Sequence, residues 1–90
     1  MFFTYVIYSK SIDKYYVGHT ENLQSRILKH NGGSTRFTSQ THDWELKYFE
    51  IFSTKSEAMR REIEIKNRKS RKYIEKLIHA GGRPVPPKAF

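Results

Sequence analysis

Dense β-branched and aromatic side chains at residues 4–8 (Thr4, Tyr5, Val6, Ile7 and Tyr8) predict a strand. The polar stretch 9–14, with Asp13 near its end, suits a hairpin loop. Residues 15–18 (Tyr15, Tyr16, Val17 and Gly18) then read as a second strand, antiparallel to the first. Strand side chains alternate, so Tyr5 and Ile7 share a face, as do Tyr16 and Gly18. Thr20 is the expected N-cap of a helix running to about His30, with Glu21 in the first turn and Leu23 and Ile27 as the buried stripe. Asn31, Gly32, Gly33 and Ser34 end it, because glycine readily takes the left-handed conformation.

Residues 35–43 are polar and irregular and carry Arg36, Phe37 and His42. Strand-like composition returns at 44–52, where simple alternation puts Trp44, Leu46, Tyr48 and Glu50 on one face and Phe49 and Ile51 on the other. Ser53 or Thr54 starts a second helix reaching about Arg68, and Ser70 caps a third with Tyr73, Ile74, Leu77 and Ile78 as its stripe. Glycine and proline at 81–87 break regular structure, leaving a tail at 81–90. The expectation is one domain over 1–80 in the order ββαβαα. This is an α+β fold, a three-stranded antiparallel sheet flanked by helices.

Composition narrows the function. The 90 residues contain no cysteine, which excludes disulfides, thiol nucleophiles and thiolate metal sites and fits a reducing compartment. No apolar run approaches the ~20 residues needed to span a bilayer. Residues 1–8 lack the basic start and small-residue cleavage site of a signal peptide. A soluble, cytoplasmic chain is expected. The formal charge is +8, but residues 1–45 carry only +1 and residues 46–90 carry +7. A cluster of seven Lys and Arg at 60–72 suggests phosphates as the partner, with a merely solvated helix face as the alternative.

Three places break the pattern. Glu62 and Lys66 fall roughly 40° and 80° from Ala58 on the second helix, inside the arc of Met59, Ile63 and Ile65. A carboxylate at an apolar margin is costly unless it is paired or binds a cation, so the choice lies between a Glu62–Lys66 ion pair and a metal ligand. Arg26 and His30 flank the Leu23/Ile27 stripe, where an arginine can offer a fork to a phosphate and a histidine can exchange a proton. A packed arginine stem and a satisfied surface histidine are the alternative there. Tyr5 and Tyr16 sit on neighbouring strands, where tyrosine is also an ordinary packing residue.

Together these residues resemble the GIY-YIG nuclease superfamily. Phe3, Thr4 and Tyr5 stand where that family has Gly-Ile-Tyr, and Tyr16, Val17 and Gly18 where it has Tyr-Ile-Gly. Arg26 follows the second tyrosine by ten residues, His30 comes four later, and Glu62 follows Ala58 by four. Asn31, Gly32 and Gly33 and the Glu62–Lys66 spacing are similar to a small stand-alone bacterial branch, which resembles the N-terminal domain of the excinuclease C subunit. The similarity covers about residues 3–78. It implies an endonuclease that hydrolyses DNA phosphodiesters, in DNA repair or processing, with one Mg2+ or Mn2+ held by Glu62. Tyr16 is then the general base, Arg26 the phosphate clamp, Tyr5 the residue that orients water or phosphate, and His30 a proton relay. An isolated tyrosine titrates near ~10, so Tyr16 needs positive charge nearby. His19 stands where the excision-repair relatives have lysine, and with Arg36, Lys66, Arg68 and Lys69 it would contact nucleic-acid phosphates. The implied substrate is duplex or branched DNA, with RNA as an alternative, bound by a monomer or weak dimer. A non-catalytic nucleic-acid binder and a basic protein-interaction module are the rival readings.

Overall fold

The computed structural model describes residues 1–33 and 40–80. Arg36 and the 81–90 tail lie outside the described residues. The elements are β1 (Phe2–Ser9), β2 (Lys14–Thr20), α1 (Leu23–Asn31), β3 (Trp44–Phe52), α2 (Lys55–Asn67) and α3 (Arg71–Ala80). This is the expected ββαβαα order. Both strand pairings are antiparallel and the sheet order is β2-β1-β3, so β1 lies in the centre. Helices cover both faces, and Tyr5, Val6 and Ile7 are therefore fully buried.

Each face has its own core. On one, Tyr5 and Ile7 meet Leu23 of α1 and Trp44, with Phe3, Tyr16, Ile27, Leu46 and Phe49 around them. On the other, Val6 and Val17 meet Ile65 of α2, and Tyr73, Ile74 and Leu77 of α3 close the margin. Thr4 ties α2 to the sheet, its buried hydroxyl donating to the Ala58 carbonyl at 2.7 Å.

Three local expectations change. Asn22, not Thr20, caps α1, accepting from the Ser25 amide at 2.9 Å, while Thr20 ends β2 and Glu21 precedes the helix. Simple alternation fails along β3. Val6 pairs with Tyr48 and Ile7 with Leu46, so the register slips at Lys47. The slip puts Trp44, Leu46 and Phe49 together on the α1 face and turns Tyr48 to the α2 and α3 face. On α2, the arc read as apolar is not the inner one: Met59 and Ile63 are exposed, while Ala58, Arg61, Glu62 and Ile65 face the sheet. Of the two expected starts, Ser53 and Thr54, it is Thr54 that caps that helix, in a capping box with Glu57.

The loops around the sheet end are held by polar side chains. Asn31 bonds both backbone groups of Trp44, at 2.7 and 3.1 Å, and so fastens the end of α1 to the start of β3. The Ser9 and Thr41 hydroxyls, with Ser11, hydrogen-bond the Asp43 carboxylate and hold it well below the usual carboxylate range.

Gly18 decides how the sheet packs. It pairs with Tyr5, and a Cβ built there would lie 2.6 Å from the Tyr5 hydroxyl oxygen and 2.8 Å from Cζ. An alanine in a strand normally gains ~0.5–1 kcal/mol over glycine. Here the buried ring would have to move, a cost of about 1–3 kcal/mol, so overpacking wins. Gly18→Ala is expected to lower the urea midpoint in equilibrium unfolding. In a Tyr5→Leu background the same substitution is expected to cost little or nothing.

Candidate active site at the edge of the second strand

Tyr5 links α1 to the strand edge. Its side chain is fully buried, and its hydroxyl is 2.7 Å from His30 Nε2 and 3.4 Å from Arg26 Nε. Arg26 and His30 are one turn apart on α1, so both descend onto the same ring. Burial pushes the Tyr5 phenol up to about 12, although the bonded guanidinium opposes this. Hydrogen bonds that the guanidinium donates to the Tyr5 hydroxyl first, and also to Tyr16, raise Arg26 above its ordinary value. Arg26 is therefore a fixed, permanently charged fork at the edge of β2.

His30 is not the surface residue its position suggested. It is fully buried against both tyrosines, with ring centroids 5.8 Å from Tyr5 and 5.0 Å from Tyr16. Burial and the neighbouring Arg26 charge lower it to about 4, so the imidazole is neutral at pH 7.

Glu62 approaches from the opposite face of the sheet. Its carboxylate is 15 % exposed and engaged at both oxygens: His19 Nδ1 lies 2.5 Å from Oε1 and Lys66 Nζ 2.5 Å from Oε2. The ion pair raised as the alternative thus exists, with a histidine added to it. Lys66 remains 46 % exposed and lies 5.5 Å from the centre of the Tyr16 ring. Contacts therefore run from Glu62 through Lys66, Tyr16 and His30 to Tyr5 and Arg26. The charge of Glu62 reaches Tyr5 as well, acting to raise it.

The other expected positions separate. Lys69 borders a groove beside Tyr16. Arg68 instead stacks on Tyr73 at 4.6 Å, away from that groove. The groove itself, of ≈ 580 Å³, shares Tyr16, Lys66 and Lys69 with the expected residues but not Tyr5, Arg26 or Glu62, so it is not a single hollow around the expected catalytic groups. Arg61 carries a role no motif indicated. It bonds both oxygens of Glu50 at 3.0–3.1 Å, Glu64 at 2.7 Å and the Tyr73 hydroxyl at 3.4 Å. Burial alone would lower it, but these partners more than offset that and raise it.

The donor chemistry at Glu62 fits a hard divalent cation. It is one part-exposed carboxylate, and among the described residues no three His, Cys, Asp or Glu side chains gather into a protein-built cage. Mg2+ and Mn2+ accept such a site when water and substrate phosphate supply the remaining oxygens.

The buried imidazole makes stability pH-dependent. His30 titrates near 6.5 in an ordinary environment and about 4 in the fold, so between these values the unfolded chain binds more protons. Stability is complete above pH ~6.5 and falls by on the order of 2–4 kcal/mol as pH drops to ~4. Long-range ¹H–¹⁵N NMR at pH 5.5 is expected to find His30 neutral. His30→Gln is expected to flatten the melting curve's pH dependence over that window.

The same chain resembles known proteins along most of its length. A family model described as the GIY-YIG catalytic domain matches residues 1–74. A UPF0213 protein of Staphylococcus saprophyticus is 42 % identical over 67 residues, covering 73 % of this chain and 80 % of the relative. One from Bacillus licheniformis is 38 % identical over 79 residues, covering 83 % and 81 %. The solution NMR structure of a UPF0213 protein from Bacillus halodurans matches with a TM-score of 0.57 at 32 % identity, covering 93 % of this chain and 89 % of that one.

Proposed function

Because the chain belongs to the GIY-YIG family, we propose that it is an endonuclease that hydrolyses DNA phosphodiesters with one Mg2+ or Mn2+ at Glu62. One observation carries this reading: Tyr16, Arg26 and Glu62 come from a strand and two helices on opposite sheet faces, yet contacts link them at one open edge. Tyr16 acts as general base, taking a proton from the attacking water. As that oxygen bonds to phosphorus, the bond to the leaving oxygen breaks. Arg26 clamps a non-bridging oxygen and favours the charge that develops there. Glu62 would hold the divalent cation, which would supply further positive charge as the phosphodiester breaks.

Tyr5 and His30 are positioning residues in this scheme. A fully buried hydroxyl bonded to Arg26 orients the clamp rather than the water, and the neutral imidazole packed on Tyr16 holds both rings. His19 positions Glu62. Lys66, Arg68 and Lys69, together with Arg36, contact flanking phosphates. We assign the protein to DNA repair or processing, as a monomer or weak dimer, and to the cytoplasm, whose reducing conditions fit a chain without cysteine. No helix among the described residues is long and apolar enough to cross a membrane.

A non-catalytic DNA- or RNA-binding domain is the second reading, favoured by the engagement of both Glu62 oxygens. One assay separates the two: supercoiled plasmid and a branched DNA, each incubated with Mg2+ or Mn2+. Wild type is expected to nick. Glu62→Gln and Tyr16→Phe are expected to lose roughly 100-fold or more in rate, with melting temperatures close to wild type. Wild-type inactivity on both DNAs with both metals, beside salt-dependent binding, would select the binder.

A further inference from the structure

Lys66 occupies the carboxylate to which the cation is assigned above. Glu62 and Lys66 are one turn apart on α2 with the acid nearer the N-terminus, the order in which such pairs are most favourable. Lys66 Nζ lies 2.5 Å from Glu62 Oε2, and His19 Nδ1 lies 2.5 Å from Oε1. Both oxygens are thus engaged in the DNA-free protein. A carboxylate oxygen cannot serve an ammonium and a divalent cation at full strength together, because the two positive charges repel.

The two partners are not equally fixed. His19 lies on β2, opposite Thr4 of the central strand, and is 27 % exposed. Lys66 is 46 % exposed and carries its charge on a flexible four-carbon stem. The lysine is the partner that can leave. Its destination is set as well: the ammonium is 5.5 Å from the centre of the Tyr16 ring, and Lys66 borders the open groove beside that ring. Arg26 reaches the same strand edge and hydrogen-bonds Tyr16. A phosphate drawn to Arg26 and Tyr16 therefore comes within reach of Lys66 and offers it a charge-assisted acceptor in place of Glu62.

We infer that Lys66 is a substrate-operated gate on Glu62. In the DNA-free protein it closes Oε2; when DNA binds it moves to a substrate phosphate and releases that oxygen, while His19 keeps Oε1 and holds the carboxylate in place. DNA and cation then bind cooperatively, each raising the affinity for the other by the same factor. The gate rests on the assignment of the cation to Glu62, not on hydrolysis.

Electron paramagnetic resonance of free Mn2+ reads the cation affinity of the DNA-free protein without turnover. Lys66→Met keeps most of the stem and removes the ammonium. It is expected to bind Mn2+ about 5- to 150-fold more tightly than wild type, the usual range of coupling between two sites. Glu62→Gln/Lys66→Met is expected to lose the gain. Arg60→Gln removes the same charge from an exposed position of the same helix, and is expected to change Mn2+ affinity by less than about twofold, as for a screened surface charge. Anisotropy of a labelled duplex reads the reciprocal effect: replacing EDTA by Ca2+ at constant ionic strength is expected to favour DNA binding by a larger factor in wild type than in Lys66→Met. Circular dichroism reports whether Lys66→Met folds; Lys66→Gln serves if it does not. An Mn2+ affinity in Lys66→Met no higher than in wild type, an equal gain in Arg60→Gln, or equal Ca2+ factors in the two proteins overturns the inference. A gain that survives Glu62→Gln overturns it too, and moves the cation away from Glu62. The expected gain beside wild-type inactivity on every DNA leaves the gate standing and rejects the endonuclease.

Discussion

The close approach of the Tyr5 ring to Gly18 is the constraint on which the rest of this structure depends. Tyr5 lies on the central strand with no exposed surface, and its hydroxyl needs partners because a buried, unbonded hydroxyl is costly. His30 and Arg26 meet that need from successive turns of α1. The ring can lie flat toward the edge strand only because residue 18 has no Cβ. One steric allowance thus sets the seat of α1, the neutrality of His30 and the place where a guanidinium reaches the β2 edge.

The opposite face follows a different logic. The inner stripe of α2 is Ala58, Arg61, Glu62 and Ile65, so two of its four sheet-facing residues are charged. Such a stripe is stable only if each charge finds a partner. Arg61 finds Glu50, Glu64 and Tyr73; Glu62 finds His19 and Lys66. The apolar Met59 and Ile63 are left in solvent. Arg61 fastens the layer, with all three of its nitrogens engaged by these partners. Glu62, at the sheet margin beside a half-exposed lysine, is the carboxylate that the proposed function has exchange its partners for an incoming cation.

A domain of this size cannot enclose a large substrate, and the proposed chemistry lies at an edge instead. The edge strand β2 borders both the Tyr5–Arg26–His30 cluster and the cationic groove, with Tyr16 common to the two. A polymer can be read at such a place without being engulfed, because cleavage needs one phosphate held and one short stretch of strand accommodated.

Much of this was legible in the chain and some was not. The alternating and 3.6-residue patterns determine the ββαβαα order, and the spacing of Tyr5, Tyr16, Arg26, His30 and Glu62 determines the family resemblance; these are local or periodic properties that need no coordinates. Parity along β2 separates Tyr16 and Gly18 from Val17 and His19, so the sequence itself puts His19 on the face opposite Tyr16. The slip at Lys47 was not available, because a bulge depends on the partner strand's register. Nor was the inner face of α2: residue-type periodicity pointed to Met59 and Ile63, while distant partners, Glu50 on β3 and His19 on β2, decided that Arg61 and Glu62 turn inward. Burial of His30 was decided in the same way, by a tyrosine 25 residues earlier. The sequence by itself determined which elements form and which chemical groups are present. Only the tertiary structure decided which face each group takes, because the energy of a buried polar group lies in the partner it meets.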